Sequence, residues 1–92
     1  MVQQKEDFEN MVREMIEMAD IGASNITITA RIVHEEMERK YDWAEQNKYP
    51  KSKNRIPMCC NAMRNVMRER GGEPSAGKDS PYFAITYDLT ER

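Results

Sequence analysis

The chain has 92 residues, of which 39 % are hydrophobic and 33 % charged, with 14 basic and 16 acidic side chains and a net charge of −2. This composition is typical of one small domain, residues 1–92, with a single core, and it leaves no room for a second. No apolar run approaches the roughly 20 residues that a membrane span needs, and residues 1–20 do not resemble a secretory signal, so we expect a cytoplasmic protein without a membrane partner.

The charges are distributed unevenly along the chain. Residues 1–47 carry five basic and eleven acidic side chains, whereas residues 48–92 carry nine and five. The segment from Lys48 to Lys78 contains eight basic side chains and only two acidic ones. A local excess of this kind fits either a solvated surface or a contact with a polyanion, and its position on the fold must decide between them.

The first half of the chain predicts two helices and a short strand. Apolar residues three and four apart predict a helix over 5–20, with Gly22 as its stop. The alternation of isoleucine and threonine in 25–28 predicts a strand, and Thr29 can then cap a second helix over 30–46. Residues 47–54 form a polar, proline-containing and basic loop, at whose end Asn54 is the expected cap of the next helix.

A third helix is predicted over 55–70, where the pair Gly71-Gly72 supplies a left-handed stop. Helical projection separates two faces of this segment. The apolar face is the predicted core and consists of Ile56, Cys59, Cys60, Met63, Val66 and Met67. The other face is the predicted surface and consists of Met58, Asn61, Ala62, Asn65, Arg68 and Glu69, with Arg64 on its flank.

Residues 72–89 predict a C-terminal hairpin. Glu73-Pro74-Ser75 can form at most a short edge strand, and residues 76–81 have the composition of a turn. Residues 82–89 predict a strand in which Phe83, Ile85, Tyr87 and Leu89 share one apolar face. The fold class is therefore mainly α with a small β-hairpin.

This order of elements resembles the winged helix-turn-helix of prokaryotic DNA-binding proteins: three helices, a short strand and a C-terminal two-stranded wing. The resemblance is carried by Ile26-Thr27-Ile28-Thr29, by the helix that ends at Gly71-Gly72, and by the strand at 82–87. It implies that the third helix enters the major groove of DNA and that the wing, 72–89, touches the neighbouring backbone. The implied base-reading residues are Asn61, Arg64, Asn65 and Arg68, and the implied wing contacts are Lys78 and Ser80.

Double-stranded DNA is therefore the expected partner, for a small transcription regulator or an accessory factor. The basic segment coincides with the loop, the third helix and the wing, which supports this hypothesis, and Lys48, Lys51, Lys53 and Arg55 are its expected phosphate contacts. A homodimer is left open. The alternative is a protein-interaction module without DNA binding, with Met58, Trp43 or Tyr49 as apolar contacts.

An enzyme is not expected. The chain has one histidine, His34, no glycine-rich phosphate loop, and carboxylates that are spread along helix faces. No metal ligand set is predicted, since His34 has no second histidine or cysteine at ligand spacing. The adjacent Cys59 and Cys60 cannot form a disulfide framework, and we expect no cofactor and no small-molecule substrate.

Overall fold

The computed structural model describes residues 4–19, 21–40, 52–74 and 77–89. Within these ranges the chain forms three helices and a two-stranded antiparallel sheet, which confirms the prediction of a mainly helical protein with three helices. The elements follow in the order α1 (Gln4–Glu17), β1 (Asn25–Thr29), α2 (Ala30–Lys40), α3 (Ser52–Glu69) and β2 (Ala84–Asp88). No helix in this part of the chain is long and apolar enough to cross a membrane.

Both helix α1 and helix α2 pack the faces that their periodicity predicts. In α1, Phe8, Val12 and Ile16 are buried at spacings of four. In α2, the buried residues are Ala30, Val33 and Met37. Thr29 caps α2, since its Oγ1 accepts a hydrogen bond from the backbone N–H of Ile32 at 3.2 Å. The predicted continuation of this helix to residue 46, and residues 47–51 of the basic loop, lie outside the described residues.

The sheet pairs its strands differently from the predicted hairpin. Strand β2 pairs with β1, with Thr27 opposite Thr86 and Ile28 opposite Ile85, and the described residues between 72 and 83 contain no strand. The expectation of two strands within 72–89 is therefore wrong for the described residues. The physical reason is that β1 and β2 each have one apolar face, and pairing them turns both faces toward the same core.

The predicted alternation of β2 is confirmed residue by residue. Phe83, Ile85, Tyr87 and Leu89 are buried, whereas Thr86 and Asp88 are exposed. On the outer face, the hydroxyl groups of Thr27 and Thr86 share a hydrogen bond of 2.8 Å across the strands. The phenol of Tyr87 points inward and donates to the backbone carbonyl of Met63 at 2.8 Å, which joins the sheet to α3.

Helix α3 begins earlier than predicted. It starts at Ser52, so Lys53 and Asn54 belong to the helix, and the prediction that Asn54 caps it at the end of a loop is wrong. Pro57 is the sixth residue of α3. Because proline has no N–H, the carbonyl of Lys53, the second residue of the helix, receives no hydrogen bond from position 57.

The C-terminal stop of α3 agrees with the prediction. Gly71 has a φ of +84°, its N–H donates to the carbonyl of Arg68 at 2.9 Å, and the N–H of Gly72 donates to that of Met67 at 3.0 Å. These two bonds are the Schellman arrangement, which satisfies the last carbonyl groups of a helix.

Helix α3 is buried over a wider arc than its apolar stripe predicts. Cys59, Cys60 and Met63 are fully buried, as expected. Ala62, expected on the outer face, is also buried, and Met58 is half-buried against the core. Both expectations of exposure are wrong because helix α1 packs along this side of α3, and periodicity within α3 carries no information about where another helix lies.

Candidate nucleic-acid interface

Three exposed polar side chains form a line along α3, and the exposed Glu69 lies beside the C-terminal end of this line. Asn54, Asn61 and Arg68 are all exposed and lie seven residues apart. Seven residues are almost two full helical turns, so these three side chains project in nearly the same direction. We refer to them as the outer line of α3. It contains two of the four predicted base-reading residues, Asn61 and Arg68, and no carboxylate.

Asn65, the third predicted base-reading residue, faces helix α1. Its Nδ2 donates to Oε2 of Glu9 at 2.9 Å, and its Oδ1 accepts from Nη1 of Arg68 at 3.1 Å. The side chain is half-buried. Both ends of the Asn65 amide are therefore hydrogen-bonded within the protein, and the residue helps to join α1 to α3.

A second contact between α1 and α3 lies next to Asn65. Arg13 binds the carboxylate of Glu69 with two nitrogens, Nε at 2.9 Å and Nη2 at 2.6 Å. The hydrogen bonds from Arg13 lower the pKa of Glu69. This carboxylate is the acidic group closest in sequence to Arg68, and its pairing with Arg13 offsets part of its negative charge.

Arg64, the fourth predicted base-reading residue, lies on the other flank of α3 and faces residues 77–83, which we call the 77–83 loop. Its Nη2 lies 2.7 Å from Oδ1 of Asp79 and 3.2 Å from the carbonyl oxygen of Gly77. Its Nη1 donates to Oδ1 of Asn61 at 2.9 Å, and its guanidinium carbon lies 4.5 Å from the centre of the Phe83 ring. Only 17 % of this side chain is exposed.

The 77–83 loop is attached to the rest of the fold at several points. Ser80 provides one of them, because its carbonyl accepts from the Cys60 thiol at 3.7 Å. Within the loop, the Ser80 hydroxyl accepts from the N–H of Tyr82 at 3.3 Å. The carbonyl of Pro81 accepts from the N–H of Arg31 at 3.0 Å. Ser80, a predicted wing contact, is half-buried and shapes the loop.

Two large side chains of this loop project into solvent, and sequence reasoning selected only one of them. Lys78, the other predicted wing contact, is exposed. Tyr82, which the sequence analysis does not select, is 80 % exposed. The available signal was its position, since a tyrosine that directly follows Ser80-Pro81 and precedes the buried Phe83 falls on the polar side of the alternation.

The predicted phosphate contacts are only partly described. Lys48 and Lys51 lie outside the described residues. Lys53 lies in the first turn of α3, and Arg55 is half-buried one turn before Cys59. Lys5 of α1 is a cation that the sequence did not suggest, and with Met58, Asn61, Ala62 and Asn65 it lines an open groove of about 400 Å³ beside the outer line.

The chemistry available at this surface is hydrogen bonding and charge. Asparagine amides and arginine guanidinium groups can each bind the edge of a base, and lysine binds phosphate. The two thiols contribute no nucleophile in the folded chain, since burial raises the pKa of Cys59 to about 12 and also raises that of Cys60. Among the described residues, no group of three or more His, Cys, Asp or Glu side chains could hold a metal ion.

Comparison of the chain with protein-family models, with curated proteins and with solved structures finds no match.

Proposed function

We propose that the chain binds double-stranded DNA, with the outer line of α3 in the major groove and the 77–83 loop on the adjacent backbone. The observation that carries this proposal is the juxtaposition of the two elements. Arg64 fastens the loop to the flank of α3, so Lys78 is exposed on the element that adjoins Asn61. A helix with amide and guanidinium groups, flanked by a cation, matches the contacts that duplex DNA offers.

In this proposal the fold is a winged helix in which a loop takes the place of the two-stranded wing. The order of α1, β1, α2, α3 and β2 supports it, as does the pairing of β1 with β2. The corresponding biological role is that of a small transcription regulator or an accessory DNA-binding factor.

The electrostatics of the chain favour this surface over the opposite one. Helix α1 carries five carboxylates against two cations, whereas α3 carries Glu69 as its only carboxylate and four cations. An anionic duplex is therefore attracted to the α3 side and repelled from the outer side of α1.

The test is a titration of a labelled duplex at two salt concentrations. If the five basic side chains Lys48, Lys51, Lys53, Arg55 and Lys78 each neutralise a phosphate, affinity should fall roughly 500-fold between 50 and 200 mM salt. Arg39→Ala is the matched control, because Arg39 is an exposed cation of α2 that pairs with Glu36. It should leave affinity nearly unchanged, whereas Lys78→Ala should lower it. Failure to bind mixed genomic fragments at low salt would overturn the proposal.

A second candidate function, an interaction module, is favoured by one observation. Met18 is 83 % exposed, Ile21 is fully exposed, and an open groove of about 220 Å³ runs between α1 and α2 along Met11, Met15 and Met18. The rim of this groove carries charges of both signs, Glu14, Glu36, Arg39 and Lys40, so a second copy of the chain fits it best. Sedimentation should then detect a dimer that Met18→Ser with Ile21→Ser abolishes, whereas these changes should leave DNA affinity alone.

A further inference from the structure

We propose that Arg64 is a positioning residue, which holds the 77–83 loop against α3 and thereby determines where Lys78 meets DNA. This inference rests on the proposed function and changes the role of one residue within it. The resemblance that suggested DNA binding implied that Arg64 reads a base. Its contacts in the folded chain support a different role.

The hydrogen bonds of Arg64 within the protein leave few of its N–H groups available to a base. A guanidinium group binds two acceptors in parallel either through Nη1 and Nη2 or through Nε and Nη2. Both arrangements require Nη2, which already donates to Asp79 and to the carbonyl of Gly77. One face of the group also covers the Phe83 ring. A paired contact with guanine would therefore require Arg64 to release the loop.

The charge of Asp79 supports the same conclusion. A carboxylate next to Lys78 repels phosphate. If the only role of this surface were to attract DNA by its positive charge, Asp79 would lower its affinity for the duplex. Its described partner is Arg64, at 2.7 Å, and this pair joins the loop to α3. We infer that the repulsion is tolerated because the ion pair orders the loop in advance, which lowers the entropy cost of placing Lys78 on the duplex.

Replacement of Asp79 distinguishes the two roles by the sign of its effect. If Arg64 positions the loop, Asp79→Ala should weaken duplex binding about three- to tenfold, although it removes a negative charge. If Arg64 reads a base, the same change frees the guanidinium and should strengthen binding. Glu73→Ala is the matched control, because Glu73 is an exposed carboxylate between α3 and the loop and should give the modest gain expected from lost repulsion.

A double-mutant cycle tests whether the pair acts through Lys78. The loss of affinity caused by Lys78→Ala should be clearly smaller in the Asp79→Ala background than in the unchanged protein. The reason is that a loop that Arg64 no longer holds has already lost the contact of Lys78 with DNA. Equal losses in both backgrounds would overturn the inference. Asp79→Asn replaces Asp79→Ala in both experiments if the alanine variant has a lowered melting temperature.

A measurement without DNA separates this inference from the proposed function. Hydrogen exchange at the amides of residues 78–80 should be faster in Asp79→Ala and in Arg64→Ala than in the unchanged protein, because each change removes one partner of the ion pair that holds the loop. Unchanged exchange would overturn the positioning role. If exchange rises but the unchanged protein binds no duplex, the proposed function fails while the loop attachment stands.

Discussion

At the scale of single residues, the two adjacent thiols illustrate how burial in the core determines the protonation state of a side chain. Cys59 and Cys60 are adjacent, fully buried and free. Burial is the main cause of the raised pKa of both, because a thiolate in an apolar core loses its hydration. The same core raises the pKa of the Tyr87 phenol. These groups therefore remain protonated and pack as neutral side chains in the folded chain.

This burial predicts a loss of stability at alkaline pH. The pKa of Cys59 is raised from 9.0 to about 12, so the folded chain holds a proton that the unfolded chain releases. The contribution of this thiol to stability is complete below pH 9 and is lost as pH rises from 9 toward 12. We expect the melting temperature to fall over this range, and to fall less steeply in Cys59→Ala. Parallel curves for the two proteins would contradict the assignment. Tyr87 has an effect of the same sign in both, so it does not affect the comparison.

At the scale of elements, the end of α3 depends on one backbone conformation. Gly71 has a φ of +84°, which an L side chain adopts only with strain. Gly71→Ala should therefore lower the free energy of unfolding by about 1–2 kcal/mol, and Gly71→Asn by less, because asparagine tolerates this region. Urea denaturation of the unchanged protein and of the two variants measures both effects. No Cβ contact complicates the comparison, since nothing lies within 4 Å of the position that a Cβ would occupy. An alanine variant as stable as the glycine protein would refute this account.

Features that depend on neighbouring residues could be predicted from the sequence. The alternation in β2, the cap at Thr29 and the stop at Gly71 each follow from a few consecutive side chains. The partner of β2 could not be predicted in this way. The partner is β1, which lies almost 60 residues earlier in the chain, and the hydrogen bond between Thr27 and Thr86 joins the two strands. Strand pairing is decided by which apolar faces meet in the core, and the pattern of consecutive residues within one strand does not show which other strand it will meet.

The same limit applies to the candidate site. Sequence reasoning placed Asn61 and Arg68 on the outer face of α3, where they lie. It could not detect that Asn65 and Arg64 have partners elsewhere, because Glu9 is 56 residues from Asn65 and Asp79 is 15 residues from Arg64. Hydrogen bonds between distant segments form only after the helices and the loop have packed. The candidate site therefore contains fewer base-reading residues than the sequence predicts.

At the scale of the whole molecule, specificity and affinity are expected to come from different elements. The outer line of α3 presents Asn61 and Arg68, whose groups can bind base edges in pairs. The 77–83 loop presents Lys78, a single cation that suits phosphate. Because Arg64 joins the two elements, the proposed DNA complex would have the loop set the orientation of the helix on the duplex.

This separation predicts distinct effects of substitutions in the two elements. Arg68→Ala should cost about 1–3 kcal/mol of discrimination between a selected site and random duplex, because a base contact is lost only at the selected site. Asn61→Ala should cost a similar amount and should also weaken binding to both duplexes, because it removes the acceptor of the bond from Arg64 Nη1. Lys78→Ala should weaken binding to both duplexes by similar factors and reduce the slope of log affinity against log salt by about one unit. Titrations of each variant with both duplexes, at two or more salt concentrations, provide the comparison. If selected-site affinity survives both α3 substitutions, recognition resides elsewhere in the chain, and the outer line of α3 does not read bases.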